Sequence, residues 1–115
     1  MSDPSARGFL RHTLATLAYR GGKAIRGAPE AFSEFRAAPG SRGAGEILAH
    51  VGDLMDWGLA LCDGRHQWRD SPALPWPEAC ARFFGCVKAL DERLASPEPL
   101  RSPAEGMFQG PSPTP

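Results

Sequence analysis

Apolar residues recur at spacings of three and four in three segments of the chain, a pattern typical of amphipathic helices. The spacing predicts α-helices over residues 5–26, 44–63 and 77–95. Period-two alternation, which would indicate strands, is missing from the sequence. We therefore predict an all-α fold with three main helices. The apolar stripe of the first helix consists of Leu10, Leu14, Leu17, Gly21 and Ile25, and Arg7, Arg11 and Arg20 fall largely outside it.

Residues with special backbone preferences mark the ends of these helices. Gly43 is a suitable N-cap for the second helix, and Glu46 then lies in the first turn, where a negative charge complements the helix dipole. Gly64 is a suitable C-terminal stop. Pro77 suits the start of the third helix, because its missing N–H has no helical partner there. Residues 30–36 predict one further helical turn.

Proline is concentrated at the C-terminal end of the chain. Of the 12 prolines among 115 residues, half fall in residues 97–115. Each proline removes a backbone donor and restricts the residue before it, so a helix cannot continue through this stretch. We predict one helical domain over residues 1–96 and a disordered or extended tail over residues 97–115.

Charge and hydropathy exclude two classes of partner. Thirteen basic residues balance 13 acidic ones, whereas dedicated nucleic-acid binders usually have a basic excess. No apolar run approaches the roughly 20 residues that span a membrane. The zero net charge conceals a basic segment at residues 1–26 and an acidic one at residues 46–63. These segments either attract each other or form two solvated faces.

The cysteines and the N-terminus indicate a reducing compartment. Cys62, Cys80 and Cys86 are odd in number and lack CxxC spacing, so they predict buried, inert thiols rather than disulfides or a zinc site. The first residues do not form a secretory signal, because charged side chains interrupt their apolar stretch. The richness in Ala, Arg, Gly and Pro is typical of a high-GC bacterial protein, and we expect a cytoplasmic location.

The second predicted helix carries the most informative sequence, GEILAHVGDLMDW at residues 45–57. This run resembles the DinB-like superfamily of bacterial helical bundles, and the resemblance extends over roughly residues 5–96. It implies an up-down-down-up four-helix bundle. It also implies a divalent metal, nickel or zinc, held by one histidine of the second helix and two of the fourth. Some members are S-transferases that use a low-molecular-weight thiol such as mycothiol or bacillithiol.

The resemblance carries over one metal ligand, His50. Asp53 lies three residues further on the same helix face, and we predict it as a second ligand or as a partner of a ligand. The alternative for His50 is a structural role at the edge of the core, beside Leu54 and Trp57. His66 lies too far along the chain to share a metal with His50 unless the loop between them folds back.

Other side chains leave two interpretations open. The three tryptophans either form the floor of a pocket for a thiol or aromatic ligand, or fill the core and clamp loops; they are Trp57, Trp68 and Trp76. His66, between Asp63 and Asp70, is either part of a proton relay or a solvated loop residue.

The chain departs from the family where a fourth helix with an HxxxH-like pair would follow, since residues 107–115 read MFQGPSPTP. We therefore expect an incomplete metal site, no catalysis by this chain, and an apolar groove lined by Leu14, Leu54 and Leu90. Such a groove favours a homodimer or an aggregation-prone fragment. One alternative is a metal- and thiol-dependent S-transferase whose site is completed by oligomerisation. Another is an interaction module that binds a partner helix in the groove.

Overall fold

The computed structural model describes residues 4–101 and is all-α, as predicted. The helices are α1 (Pro4–Ile25), α2 (Ala44–Cys62) and α3 (Trp76–Ala95), and a short 3₁₀ helix spans Glu30–Glu34. Each helix boundary lies within one residue of the prediction. The sequence therefore predicted both the class and the placement of the elements.

α3 occupies the middle of the fold. α1 and α2 each pack along α3 rather than on one another, and the 3₁₀ helix packs against α2 and α3. The four-helix arrangement implied by the resemblance stays a prediction. Two apolar clusters form the core: one contains Leu48, Trp76, Ala79 and Phe83, and the other contains Leu14, Met55 and Leu94.

The ends of α2 follow the sequence signals. Gly43 is the N-cap, and its N–H donates to Glu46 Oε1 over 2.8 Å. This backbone hydrogen bond, helped by Arg36 at 3.0 Å, lowers the pKa of Glu46. Gly64, just beyond the helix, has a φ of 76°, which a residue with a side chain rarely adopts.

The apolar stripe of α1 is only partly buried. Leu14 is 7% exposed and packs in the core, and its side chain also borders an open cleft between α1 and α3, as expected for this residue. Leu10 and Leu17, one turn to either side of Leu14, are 41% and 47% exposed. α1 therefore uses a narrower strip to contact α3 than its sequence indicates.

Arg7 corrects the expectation that the basic residues of α1 lie outside the packed face. Its side chain is buried, and Nη1 donates to the backbone oxygen of Leu94 over 3.2 Å. Further hydrogen bonds join its guanidinium to the carbonyls of Ser96 and Glu98. Arg7 thus fixes the N-terminal part of α1 to the C-terminal end of α3.

The packed region continues beyond the predicted domain boundary at residue 96. The Arg101 N–H donates to the Cys62 carbonyl over 2.9 Å, which returns the chain to the end of α2. Arg93 donates to the carbonyls of Glu98 and Pro99 over 3.1 and 2.9 Å. Residues 97–101 are therefore tied to the helices. The rest of the tail predicted as disordered, residues 102–115, lies outside the described residues.

Acidic residues of α2, and Asp63 at its C-terminal cap, pair with arginines of α3 and of the loop before α3. Asp53 and Asp56 bind Arg82, and Asp63 binds Arg93. In α1, Arg11 pairs instead with Asp91 of α3 over 2.8 Å. α3 therefore forms ion pairs with both the basic segment at residues 1–26 and the acidic segment at residues 46–63. Across residues 4–101, no helix is both long and apolar enough to cross a membrane.

Candidate functional site

The most buried carboxylate of α2 belongs to Asp53, which is 3% exposed. Its Oδ1 accepts hydrogen bonds from Arg82 Nη2 over 2.8 Å and from Ser71 Oγ over 2.7 Å. Its Oδ2 accepts from the Ser71 N–H over 2.8 Å. Asp53 thereby joins α2 to α3 and to the loop between them.

Arg82 extends this arrangement to a second carboxylate, one turn along α2. Its Nη2 also donates to Asp56 Oδ2 over 2.8 Å, and its Nη1 donates to the Ala49 carbonyl over 3.3 Å. Arg69 reaches the same Asp56 oxygen from the solvent side over 3.2 Å. We call Asp53, Asp56, Ser71 and Arg82 the Asp53–Arg82 network.

The network sets the charge states of its members. Burial alone raises the pKa of Asp53, but hydrogen bonds from Ser71 and Arg82 and the charge of Arg82 outweigh it, so the pKa is lowered. Burial also opposes the charge of Arg82, yet its two carboxylate partners raise its pKa. Both groups are therefore ionised at neutral pH.

Gly52 makes room for the Arg82 guanidinium. A Cβ atom at Gly52 would lie 2.8 Å from Arg82 Cζ and Nη1, which is closer than real Cβ contacts. The end of an arginine is usually flexible, but here hydrogen bonds to both carboxylates hold it. The network therefore depends on the lack of a side chain at this position.

Replacing Gly52 with Ala is expected to destabilise the fold by about 1–3 kcal/mol, because the methyl group displaces Arg82. Gly85 is the matched control, since it is an exposed glycine inside α3 and the new methyl group would have no neighbouring atom within 4 Å. Gly85→Ala is expected to stabilise by about 0.5–1 kcal/mol through helix propensity. Urea unfolding followed by circular dichroism measures both changes, and stabilisation by Gly52→Ala would contradict this account.

His50 is half-buried and lies on α2 about one turn before Asp53. Its ring contacts Trp68 edge to face, with centroids 5.7 Å apart. It lines an open cleft of about 180 Å³ with Asp53, Asp70 and Ser71. The structure thus brings the two predicted ligands, His50 and Asp53, to one cleft. The loop after α2 places Trp68 beside His50, a contact that the sequence did not predict.

The donor set of this cleft does not fit a zinc or nickel site with three protein ligands. Both Asp53 oxygens already accept hydrogen bonds, and the adjacent Arg82 guanidinium would repel a divalent cation. Within residues 4–101, no group of three or more His, Cys, Asp and Glu side chains is placed to hold a metal ion. The assignment of His50 and Asp53 as metal ligands stays a prediction. In the structure, Asp53 instead binds Arg82 and Ser71.

His66 is not a solvated loop residue, as one interpretation of the sequence held. Its Nδ1 accepts a hydrogen bond from Trp57 Nε1 over 3.1 Å, and its Nε2 is buried with no hydrogen-bond partner among the described residues. Trp57 also contacts Trp68 edge to face at 6.1 Å. These rings clamp the loop onto α2, whereas Trp76 is buried in the core.

The three cysteines are free thiols, each partly buried. Burial raises the pKa of Cys62, Cys80 and Cys86. In Cys86 the neighbouring Asp56, which accepts a hydrogen bond from the thiol over 3.4 Å, raises the pKa further. These thiols are therefore held in their protonated, weakly nucleophilic form.

Sequence reasoning missed Arg82 and Ser71 as members of the site. The three-residue spacing of Asp53 and Asp56 indicates one acidic face on α2, and an arginine on a neighbouring helix is a natural partner for it. Which arginine reaches that face depends on how α3 lies against α2, and helical periodicity does not specify this.

Comparison with known proteins finds no matching family model, no similar curated protein and no similar solved structure.

Proposed function

We propose that the chain is a DinB-like helical protein that acts by self-association through α1 and does not catalyse a reaction as a single chain. The observation that carries the proposal is a set of exposed large apolar side chains on this helix, of which Leu10 and Leu17 share one face. Phe9 and Tyr19 are 70% and 61% exposed, and Leu10 and Leu17 are exposed by more than two fifths. Exposed large apolar side chains that share a helix face, as Leu10 and Leu17 do, are typical of an interaction surface.

A second copy of the chain is the partner that these residues favour. Leu10 and Leu17 lie two turns apart on one face of α1, the spacing at which two helices pack along each other. The chain has no net charge, so long-range repulsion does not oppose the approach of two copies. We call Leu10 and Leu17 the α1 seam.

The DinB-like part of the proposal draws support from α2. The run that resembles the family, residues 45–57, lies within this helix and places His50 at the cleft. Asp53, the other predicted ligand, serves the Asp53–Arg82 network, and this supports a structural rather than a catalytic role for the cleft in one chain.

The double variant Leu10→Asp, Leu17→Asp is expected to weaken dimerisation at least tenfold, because each substitution would bury a charge in the seam between the two copies. Sedimentation velocity over a range of protein concentrations measures the monomer–dimer equilibrium. Ala81→Asp, at an exposed position of α3, is the control and should dimerise like the parent chain. A parent chain that stays monomeric at every concentration would overturn the proposal.

The alternative, a thiol-dependent S-transferase completed across the dimer, has one observation in its favour. The His50 ring lines the cleft and makes no hydrogen bond to another described residue, so its nitrogens are free to bind a ligand. Elemental analysis of the purified dimer distinguishes the two functions. At least one tightly bound divalent ion per dimer, lost in His50→Ala, would support the alternative, and a metal-free dimer would support association alone.

A further inference from the structure

A second cleft, distinct from the α1 seam and from the His50 cleft, lies between α1 and α3. It has a volume of about 510 Å³, within the range of roughly 300–1,000 Å³ found for small-molecule sites. Its walls are mainly apolar, formed by Leu14, Ala15 and Ala18 of α1 and by Phe84 and Val87 of α3. We call it the α1–α3 cleft.

The wall formed by Phe84 is held in place from two directions. Phe83 contacts the Phe84 ring edge to face, with centroids 5.2 Å apart. The Arg26 guanidinium lies over the same ring, 4.6 Å from its centroid. Ala15 and Ala18 of α1 line the cleft with small side chains. The cleft is thus an apolar slot between the two helices that is open to solvent.

The positive and negative charges at the rim of the cleft do not cancel. Arg11 and Asp91 neutralise each other through two hydrogen bonds of 2.8 and 3.2 Å. Lys88 also lines the rim, is exposed, and forms no ion pair with any residue of the described part of the chain. His12 stands beside it without a side-chain hydrogen bond to those residues. The charge left over at the rim is therefore positive.

An apolar slot with one free ammonium group at its rim is complementary to an amphiphilic anion. We propose that the α1–α3 cleft binds a free single-chain carboxylate, a medium-chain fatty acid, with its alkyl chain between α1 and α3 and its carboxylate at Lys88. Each methylene group that the slot removes from water contributes roughly fourfold to affinity. This site goes beyond self-association, because it uses neither Leu10 nor Leu17.

The test compares decanoate with decanol, below the concentrations at which either aggregates, by isothermal titration calorimetry on the full chain. Decanoate is expected to bind about tenfold more tightly, since only it can pair with Lys88. Lys88→Gln should weaken decanoate about tenfold and leave decanol unchanged. Lys23→Gln, an exposed lysine of α1 that does not line the cleft, is the matched control and should leave both unchanged.

A second variant tests the slot itself. Ala18→Phe fills it and should abolish binding of both ligands, and a thermal melt checks that this variant remains folded. Equal affinity for decanoate and decanol, or a decanoate affinity that Lys88→Gln does not change, would overturn the proposal. Dissociation of the dimer by decanoate would also overturn it, because a second copy would then occupy the cleft.

Discussion

Asp53→Asn is expected to destabilise the fold by about 3 kcal/mol, a large part of the roughly 5–15 kcal/mol that stabilises a typical domain. The substitution keeps the shape of the side chain but removes its charge. Arg82 then remains partly buried beside a neutral group, and the Ser71 N–H and hydroxyl lose a charged acceptor. The cost comes mainly from leaving the guanidinium without its buried counter-ion.

Urea unfolding measures this loss, and Asp56→Asn is the matched control. Asp56 also binds Arg82, but its side chain is 35% exposed, so water replaces part of the lost interaction. We expect a cost of about 1 kcal/mol there. Equal costs at the two positions would show that burial of Asp53 does not determine its contribution.

The same network makes stability depend on pH. The pKa of Asp53 is lowered in the folded state, so folding favours the ionised form. Its contribution is complete above the unfolded pKa of about 3.9 and is lost as pH falls through the lower folded value. As pH falls from about 5 into the acid range, Asp53→Asn should therefore lose less stability than the parent chain.

Helix positions were predictable from the sequence because they depend on local signals. Apolar spacing, the Gly43–Glu46 start of α2 and the stop at Gly64 all act within a few residues of each other, and the structure reproduces them. The resemblance to the DinB-like family pointed to His50 and helical spacing pointed to Asp53, and the fold brings both to one cleft. That much of the candidate site followed from a single helix.

The partners of these side chains were not predictable, because they come from distant parts of the chain. Arg82 follows Asp53 by 29 positions, and Arg7 precedes the carbonyl of Leu94 by 87. An arginine outside an apolar stripe is normally a solvated residue. Only the way α1 meets the end of α3 makes Arg7 a buried one.

Arg7→Met is expected to destabilise the fold by about 2–3 kcal/mol. Methionine retains the apolar stem but leaves the carbonyls of Leu94 and Ser96 without their charged donor, and the Glu98 carbonyl keeps only Arg93. The guanidinium also lies at the C-terminal end of α3, where a positive charge offsets the helix dipole. Arg20→Met, at an exposed position of the same helix, should change stability by less than about 0.5 kcal/mol in urea unfolding.

A double-mutant cycle separates the anchoring role of Arg7 from a general effect of losing charge. Arg7 and Arg93 both donate to the Glu98 carbonyl, so each arginine helps to hold the oxygen that the other one binds. Their replacement by Met should be non-additive by about 0.5–1 kcal/mol. Hydrogen exchange should also speed up at the Arg101 amide, whose bond to Cys62 depends on the same segment. If the losses of unfolding free energy are additive and hydrogen exchange at Arg101 is unchanged, the two arginines act independently. If they share an anchor, replacing either one must loosen the segment that both hold.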